Sequence, residues 1–449
     1  MVTEARARWT NWGGTYSCSP TRIESPSTEE EIADILRSAA DRGEHVKVIG
    51  SGHSFTDIGC TDGCLIRLDN YNKVLDVDRD AQTITAQAGI TILEVSDALA
   101  HFGLAMENMG DVGYQTISGA ISTATHGTGE RLRNISSQVV ALSLVTASGE
   151  VIRCSAEHET ETFKAAQVSL GALGVLSTVT LRCVPAYNVH SMQEPRRIDE
   201  LLDRFDEHCA RNDHFEFFWF PHTEWAQAIT NTRTQDPPPA KQRRTGVGAY
   251  VNDILLENHA FGMIQRAAQV RRQWIPGLAS ITARTMSRKE MTDRSDRIFA
   301  NTRLVRFAEM EYAVPRSELI PAVRDIRDMI QRQGLLISFP VEVRAVAPDD
   351  IPLSPAYGRE TGYIAVHVYH KFEYEPYFRE VEAIMNAHDG RPHWGKLHFQ
   401  TAATLRPRYP MWDRFIAVRN RLDVNRMFGN AYLERVLGDG THNKGEGEP

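Results

Sequence analysis

Residues 50–55 read GSGHSF and directly follow the short apolar run HVKVI. Glycines at the end of a strand are typical of a turn whose backbone N–H groups can approach an anion closely. The pattern also resembles the start of a dinucleotide fingerprint, but Phe55 replaces the third glycine and TDIGCTDGC has no helical pattern. From spacing alone, a phosphate-binding turn and an ordinary surface turn fit about equally well.

A second stretch, residues 117–129, reads ISGAISTATHGTG and consists almost entirely of small and hydroxyl residues. Such a run lets the backbone approach an anion, and its Ser and Thr side chains add donors. Tight steric packing of a loop is the alternative. Two such stretches in one region favour phosphate binding more strongly than either does alone. A third, GRPHWGKL at 390–397, does not predict an ATPase, because Leu397 stands where a phosphate loop needs Ser or Thr.

The composition is that of an ordinary globular protein. The chain has 449 residues, enough for two or three domains, with 42% hydrophobic and 24% charged residues. Its net charge of −8 argues against duplex nucleic acid as a partner. Six scattered cysteines do not make a disulfide scaffold, so we expect reduced thiols. The N-terminal sequence MVTEARARWTNWGG lacks an apolar core, which favours cytoplasmic residence and leaves peripheral membrane contact open.

The order of predicted elements indicates an α+β fold. Residues 1–187 alternate helices, one after Thr28 and one after Thr91, with short strands and a hairpin turning at Ser148-Gly149. The middle region has a helix predicted to start at Ser317 and run to Gln333, and strand patterns at 214–222, 309–315, 335–347 and 362–370. The proline-rich segment 232–248 predicts an exposed, mobile loop, and the polar tail after Leu437 predicts fraying.

Two of these strands carry polar residues on a single face. Side chains alternate along a strand, so Glu342 and Arg344 share one face, as do His367 and Tyr369. Polar groups of the two strands can therefore converge on one surface. The alternative is a solvated face with an ordinary Glu–Arg pair.

Six stretches, taken in order, carry a specific resemblance over nearly the whole chain: VIGSGHSFTDI, ENMGDVGYQTISGAISTATHGTG, SLGALGVLSTVTL, FPVEVRAVAPDD, LSPAYGRETGYIAVHVYH and RPHWGK. Together they resemble the sugar-1,4-lactone oxidoreductases, which are the L-gulonolactone and D-arabinonolactone oxidases of the vanillyl-alcohol oxidase superfamily. The resemblance implies an α+β fold with a two-part FAD-binding domain over 1–187, completed by 396–449. It also implies a cap domain over 188–395, with an antiparallel sheet that binds the substrate.

The resemblance implies FAD as cofactor, joined covalently to His53. The other cofactor-binding positions it implies are Gly50, Ser51, Gly52, Ser54, Gly110, Ser118, Gly119, Ser122, Thr123, His126 and Gly127. These are neutral donors, so no basic cluster is required for the diphosphate. No metal is implied, and His393 and His398 are expected to be structural or exposed.

The implied reaction is oxidation of an aldono-1,4-lactone at C2, by hydride transfer to flavin N5, to an ascorbate-type enediol lactone. Catalytic roles fall on Glu342, Arg344 and Lys396, and substrate-binding roles on His367, Tyr369 and Asp111. The alternative within the superfamily is an alditol oxidase acting at C1. Asp111 stands where alditol oxidases carry serine, which favours the lactone.

Gly110 leaves room for oxygen in similar enzymes. The electron acceptor is therefore O2, or a cytochrome or quinone in its place. Two further classes compete with this interpretation: an NAD-dependent dehydrogenase, disfavoured by Phe55, and a non-catalytic sugar-binding protein, which would not need two glycine-rich stretches. A visible absorption spectrum separates all three.

Overall fold

The computed structural model describes residues 7–238, 256–300 and 304–438. The strands of this part of the chain are β1 Trp9–Thr10, β2 Ser17–Cys18, β3 Arg22–Glu24, β4 Val46–Ile49, β5 Cys64–Arg67, β6 Val74–Asp78, β7 Thr83–Gln87, β8 Leu104–Ala105, β9 Val139–Val145, β10 Val151–Ser155, β11 Val175–Arg182, β12 Val184–Pro185, β13 Asn188–Arg197, β14 His214–Trp219, β15 Trp225–Thr234, β16 Lys289–Arg294, β17 Phe307–Pro315, β18 Val341–Val346, β19 Thr361–Tyr369 and β20 Arg391–Pro392.

The α-helices of the same ranges are α1 Glu29–Arg42, α2 Ile92–His101, α3 Ile117–Ser122, α4 Thr160–Gln167, α5 Ile198–Asp203, α6 Phe205–Arg211, α7 Leu256–Val270, α8 Ile275–Thr285, α9 Ser295–Phe299, α10 Leu319–Gln333, α11 Glu375–Ala387, α12 Ala402–Leu405, α13 Trp412–Leu422 and α14 Ala431–Leu437. In this part of the chain, no helix is both long enough and apolar enough to cross a bilayer.

The first two helices begin where the sequence predicts. The Thr28 side chain accepts from the backbone N–H of Glu31, and α1 ends at Gly43 in the left-handed region, with φ +62°. Thr91 and Glu94 form a reciprocal capping box at the start of α2. Local sequence therefore determines these helix starts.

Besides the two-stranded pairs β1-β2 and β12-β8, residues before 188 build two larger sheets. One is antiparallel with strand order β10-β9-β11-β7-β6, and the other is parallel with order β3-β5-β4. The β9–β10 hairpin turns where predicted, since Val145 pairs with Val151. The two glycine-rich stretches lie beside these sheets, one directly after β4 and the other within and after α3.

The middle region forms an eight-stranded antiparallel sheet with order β16-β13-β15-β14-β18-β19-β17-β20. Helix α10 packs against β19, and α11 packs against β17. The strand pairing places Glu342 and Glu311 on either side of Ala365, because each is the register partner of that alanine. The predicted antiparallel sheet is present, and its central strands bring polar side chains to one face.

Two large hydrophobic clusters broadly follow the predicted division of the chain. The first holds most apolar side chains before residue 190 and after 394, and the second holds those between 198 and 385. Each cluster also contains residues from the other part of the chain, since Phe55 belongs to the second cluster and Ile351 and Leu353 belong to the first. The division into 1–187 with 396–449 and 188–395 stays a prediction.

Several predicted boundaries are wrong. Ser317 does not cap α10, because a 3-10 turn over Arg316–Glu318 precedes that helix. Residues 335–340 are not part of β18, which begins at Val341. The predicted loop at 232–248 overlaps β15, which continues to Thr234, while 239–248 and the tail from 439 lie outside the described residues. All six cysteines are free thiols, as expected.

Candidate active site

Two adjoining cavities lie where the glycine-rich stretches meet the large sheet. The first, called the cradle, is lined by β4 and by the loops around residues 50–59, 115–123 and 169–174. The second, called the sheet cavity, lies between the loop at 110–115 and the polar face of β17 and β18. His53, Ser54, Gln115 and Thr123 line both cavities, so an elongated ligand could pass from one to the other.

The cradle collects the small, uncharged residues that the sequence singled out. Of the predicted cofactor-binding positions, it is lined by Gly50, Ser51, Gly52, His53, Ser54, Ser118, Gly119, Ser122 and Thr123. Glycines and hydroxyl side chains lie along this wall, together with apolar side chains such as Ile49 and Leu170. Such a surface can donate several hydrogen bonds to a phosphate group without a cluster of basic side chains.

The first glycine-rich stretch packs directly against the segment that leads into the second. A Cβ added at Gly50 would lie 2.0 Å from Thr116 Oγ1, so no larger residue fits there without moving the loop. The Ser51 hydroxyl donates to the backbone carbonyl of Tyr114. Gly50 is therefore needed for the contact that closes one end of the cradle.

His53 lies half-buried between the two cavities. Its ring stacks on Trp12, with 5.4 Å between centroids and 25° between planes. Burial and the nearby ammonium of Lys396 lower the pKa of His53 to about 4. The imidazole is therefore neutral at physiological pH, with a nitrogen lone pair available.

A backbone hydrogen bond ties the His53 loop to the loop that carries Lys396. The N–H of Phe55 donates to the carbonyl of Gly395 at 2.7 Å. The Lys396 ammonium also lies over the Phe55 ring, 5.2 Å from its centroid. The loop at 50–55 and the HWGK segment thus form one rigid corner of the sheet cavity.

The polar face of the sheet carries two predicted and two unpredicted charged residues. Glu342 and Arg344 lie on β18, and Glu309 and Glu311 lie on β17. All four line the sheet cavity and are almost fully buried. Because burying an isolated charge is costly, such groups must pair with one another.

Arg344 is held between two carboxylates. Its Nη2 donates to Glu311 Oε1 at 2.7 Å, and its Nε lies 3.2 Å from Glu342 Oε1. Burial alone would lower the pKa of Arg344, but Glu342 and Glu311 outweigh it and hold the pKa well above its usual value. Arg344 is therefore a permanent cation in the cavity wall.

Glu309 and Lys396 form the second ion pair of this face, through Oε2 and Nζ. Burial alone would raise the pKa of Glu309, but Lys396 and His367 outweigh it and lower the pKa below its usual range. Glu309 is thus an anion that fixes the position of the Lys396 ammonium.

His126 closes the cavity on the side of the glycine-rich loop. Its Nδ1 lies 2.8 Å from the carbonyl oxygen of Gly127, and its Nε2 lies 3.3 Å from Glu311 Oε1. The ring of Tyr363 stacks on it, with 3.7 Å between centroids. His393 lines the same cavity, and burial lowers its pKa to about 3. His393 is therefore a neutral, buried residue, which is the first of the two expected alternatives.

Two groups of three residues on this face bring nitrogen and oxygen atoms close together. They are His126, Glu311 and His393, and Glu309, Glu342 and His367. In each group a carboxylate already pairs with a side-chain cation, Arg344 in the first and Lys396 in the second. These cations supply the positive charge that a metal ion would otherwise provide.

The structure brings most of the predicted site residues together. Besides those of the cradle, the sheet cavity is lined by Gly110, Asp111, His126, Glu342, Arg344 and Lys396. Three predicted residues do not line either cavity. His367 lies behind Glu309 and Glu342, Tyr369 packs within the second hydrophobic cluster, and Gly127 packs against the backbone of Met109.

Sequence reasoning missed Glu309, Glu311 and Lys47. The glutamates alternate within EMEYAVP, a strand whose every residue from Phe307 to Val314 is buried. Two carboxylates on one face of a buried strand are the signal that could have found them. Lys47 lines the cradle from the otherwise apolar strand β4.

Comparison with known sequences agrees with this geometry. The model of the family described as D-arabinono-1,4-lactone oxidase matches residues 179–436, which is more than half of the chain. The chain belongs to this family. A second model, described as FAD binding domain, matches residues 20–155. The expected family and its FAD cofactor are confirmed.

Two relatives of this lactone oxidase family member match along almost their whole length. L-gulono-1,4-lactone dehydrogenase of Mycobacterium tuberculosis is 48% identical over 436 residues, covering 96% of this chain and 99% of that protein. L-gulonolactone oxidase of Bos taurus is 35% identical over 444 residues, covering 96% and 98% respectively.

Solved structures confirm the fold of the family member. A solvent-stable cholesterol oxidase superposes with a TM-score of 0.82 at 17% identity, covering 96% of this chain and 97% of that one. Cholesterol oxidase from B. sterolicum superposes with a TM-score of 0.80 at the same identity. The α+β fold of the vanillyl-alcohol oxidase type, predicted from the sequence, is therefore confirmed.

The residues of both cavities fit FAD. The cradle offers hydroxyls and backbone groups for the diphosphate, and it leads directly to the sheet cavity. Buried Gln115 Oε1 and Thr125 Oγ1 line the sheet cavity and have no hydrogen-bond partner within the described ranges. Buried polar atoms of this kind are normally satisfied by a ligand or water.

Proposed function

We propose that this chain oxidises an aldono-1,4-lactone, of the L-gulono or D-arabinono type, at C2. The observation that carries the proposal is the arrangement of the buried Glu342 and Arg344 and the partly exposed Lys396 around a cavity adjoining the cradle. When bound, FAD supplies the acceptor for a hydride. The protein must hold the substrate and stabilise the charge that develops on its oxygen.

Arg344 and Lys396 are the groups suited to that stabilisation. Both are cations held in place by buried carboxylates, so they need little rearrangement when an oxygen of the substrate gains negative charge. Glu342 lies beside Arg344 and can orient a substrate hydroxyl or the guanidinium itself. We assign the catalytic role to these three residues.

Asp111 is proposed to bind the substrate, because it lines the sheet cavity opposite the charged strands. Its carboxylate also contributes to the raised pKa of Arg344. His367 and Tyr369 do not line the cavity, so His367 is reassigned to positioning Glu309, whose carboxylate lies 3.5 Å from its Nε2. Tyr369 receives no substrate role.

Anaerobic mixing of the yellow protein with candidate substrates tests the proposal. We expect L-gulono-1,4-lactone or D-arabinono-1,4-lactone to bleach the flavin absorption, and xylitol or sorbitol to leave it unchanged. Bleaching by the alditols and not by the lactones would support the alternative, an alditol oxidase acting at C1. Product analysis for an enediol lactone identifies the oxidised carbon.

The electron acceptor is proposed to be O2 or a protein or quinone that replaces it. The named relatives include both a dehydrogenase and an oxidase, and Gly110 lines the sheet cavity without a side chain that would occupy space there. Reoxidation of the reduced protein in air-saturated buffer distinguishes the two acceptors, because only an oxidase is reoxidised rapidly without an added mediator.

FAD is proposed to be linked covalently through His53. The neutral imidazole at the junction of both cavities supports this assignment. Acid precipitation tests it, since a covalent flavin stays with the pellet.

A further inference from the structure

Lys47 is a buried lysine in the wall of the FAD cradle. It lies in β4 between Val46 and Val48, and only 2% of its surface is exposed. Lysine is almost never fully buried without a charged partner. Its burial here therefore calls for a physical reason.

Within the described residues, the hydrogen-bond partners of this ammonium are weak and neutral, and the Asp423 carboxylate offsets only part of the cost of its burial. Nζ donates to the carbonyl oxygens of Gly171 and Phe428 at 3.4 Å and 3.2 Å. Two neutral acceptors at these distances do not replace a counter-ion, since a buried ammonium normally needs one. One of its three N–H donors is left over within the described residues.

Among the residues that the structure describes, Lys47 is the one source of side-chain charge in the cradle. Its lining contains hydroxyl, glycine, apolar and amide residues and the neutral His53, and Lys47 is the one Lys, Arg, Asp or Glu among them. A diphosphate carries two negative charges in such a low-dielectric site. One ammonium there supplies positive charge, which the neutral donors do not.

We propose that Lys47 is the counter-charge for the diphosphate of FAD. It acts with the hydroxyls of the glycine-rich loops, which supply directional hydrogen bonds but no charge. Through Gly171 and Phe428 it also joins the loop at 169–174 and the segment before α14 to the wall of the cradle. One cation thus joins the neutral donors that the resemblance implies, and no basic cluster is required.

The charges around Lys47 predict that the affinity for FAD depends on pH. Burial and Arg419 lower the pKa of Lys47 to about 7, against an opposing effect of Asp423. A bound diphosphate favours the ammonium and raises that pKa, so the protein takes up a proton when FAD binds near pH 7. Affinity for FAD is therefore highest below pH 7 and falls as the pH rises.

Reversible binding is needed to test this, so the experiment uses the full chain with His53→Ala. In this background Lys47, Lys47→Met and Lys47→Arg are compared by flavin fluorescence titration with FAD and with riboflavin, which has no phosphate. We expect Lys47→Met to raise the Kd for FAD about tenfold or more. In Lys47→Met the Kd for riboflavin should change less than about threefold. Lys47→Arg should retain most of the FAD affinity.

The pH series provides a second readout that a purely structural role would not change. Between pH 6 and pH 9 the Kd for FAD should rise in the Lys47 protein and stay nearly constant in Lys47→Arg, whose charge persists throughout. The Arg variant keeps the test valid even where Lys47→Met does not fold. An unchanged Kd for FAD in Lys47→Met, an equal loss of FAD and riboflavin binding, or the same pH profile in all three proteins would overturn the proposal.

Discussion

The Arg344 guanidinium donates to the Glu311 carboxylate across an intervening strand, with 2.7 Å between Nη2 and Oε1. Arg344 lies on β18 and Glu311 on β17, and β19 runs between them. The contact is possible because Ala365 lies between Glu342 and Glu311 in the register and leaves space above the sheet. The small Ala365 on β19 thus allows charged side chains of its two neighbouring strands, β18 and β17, to form one network.

Replacing Arg344 with alanine should slow flavin reduction by about 10²–10³, the usual cost of losing one donor that stabilises developing charge. Stopped-flow absorbance under anaerobic conditions measures this rate. Arg324→Ala is the control, because Arg324 forms an exposed pair with Asp203 far from the cavities. A reduction rate close to that of the unmodified protein would remove Arg344 from the catalytic group.

Glu311→Gln should destabilise the protein strongly at neutral pH. Burial alone would raise the pKa of Glu311, but Arg344 and His126 outweigh it and lower the pKa well below its usual value. Stabilisation from this carboxylate is therefore complete above the unfolded pKa of about 4.5 and is lost as the pH falls.

Removing one partner of a buried pair typically costs about 3–5 kcal/mol. We expect a loss of this size in urea unfolding at pH 7, and a smaller difference between the two proteins at pH 3. The exposed Glu380→Gln serves as the control. Equal stability of the Glu311→Gln and unmodified proteins at pH 7 would contradict the assigned pairing.

His53→Ala should release all flavin into the supernatant after acid precipitation, whereas the unmodified protein should keep its colour in the pellet. Because burial and Lys396 lower the pKa of His53 to about 4, the imidazole stays neutral from pH 6 to pH 9. The extent of attachment should accordingly not vary across this range. Colourless pellets from the unmodified protein would rule out a covalent link.

Gly110→Ala should slow reoxidation by O2 more than it slows reduction by a lactone. An added Cβ would lie 3.1 Å from the His126 carbonyl oxygen and 3.2 Å from Thr125 Cγ2, so the methyl group has to point into a crowded part of the cavity. Separate stopped-flow measurements of reduction and reoxidation check this. An equal slowing of both steps would indicate a general distortion of the loop.

Much of the fold could be predicted because its signals are local. Helix starts at Thr28 and Thr91 depend on side chains within three residues, and the alternation in VEVR placed Glu342 and Arg344 on one face. The start of α10 could not be predicted in this way. Ser317 lies within a 3-10 turn, and no local sequence pattern distinguishes such a turn from the start of an α-helix.

The positions of the missed residues, and of the wrongly assigned Tyr369, depend on contacts between distant segments. Tyr369 shares the face of His367, but the pairing of β17 with β19 places it opposite Phe307, next to apolar rings rather than in the cavity. The role of Glu311 is apparent only from its hydrogen bond with Arg344, which is 33 residues away in the sequence. The sequence around Lys47 predicts only an apolar strand, and the contacts of its ammonium come from Gly171 and Phe428, far along the chain.

The hydrogen bond from Phe55 to Gly395 has a consequence for how the protein is made. His53, the proposed attachment point of the flavin, leaves the ribosome long before the HWGK segment is synthesised. The corner that holds both exists only once the late part of the polypeptide has folded back onto the early part. The pocket around the yellow prosthetic group can therefore be completed only late in biogenesis, after translation has passed Lys396.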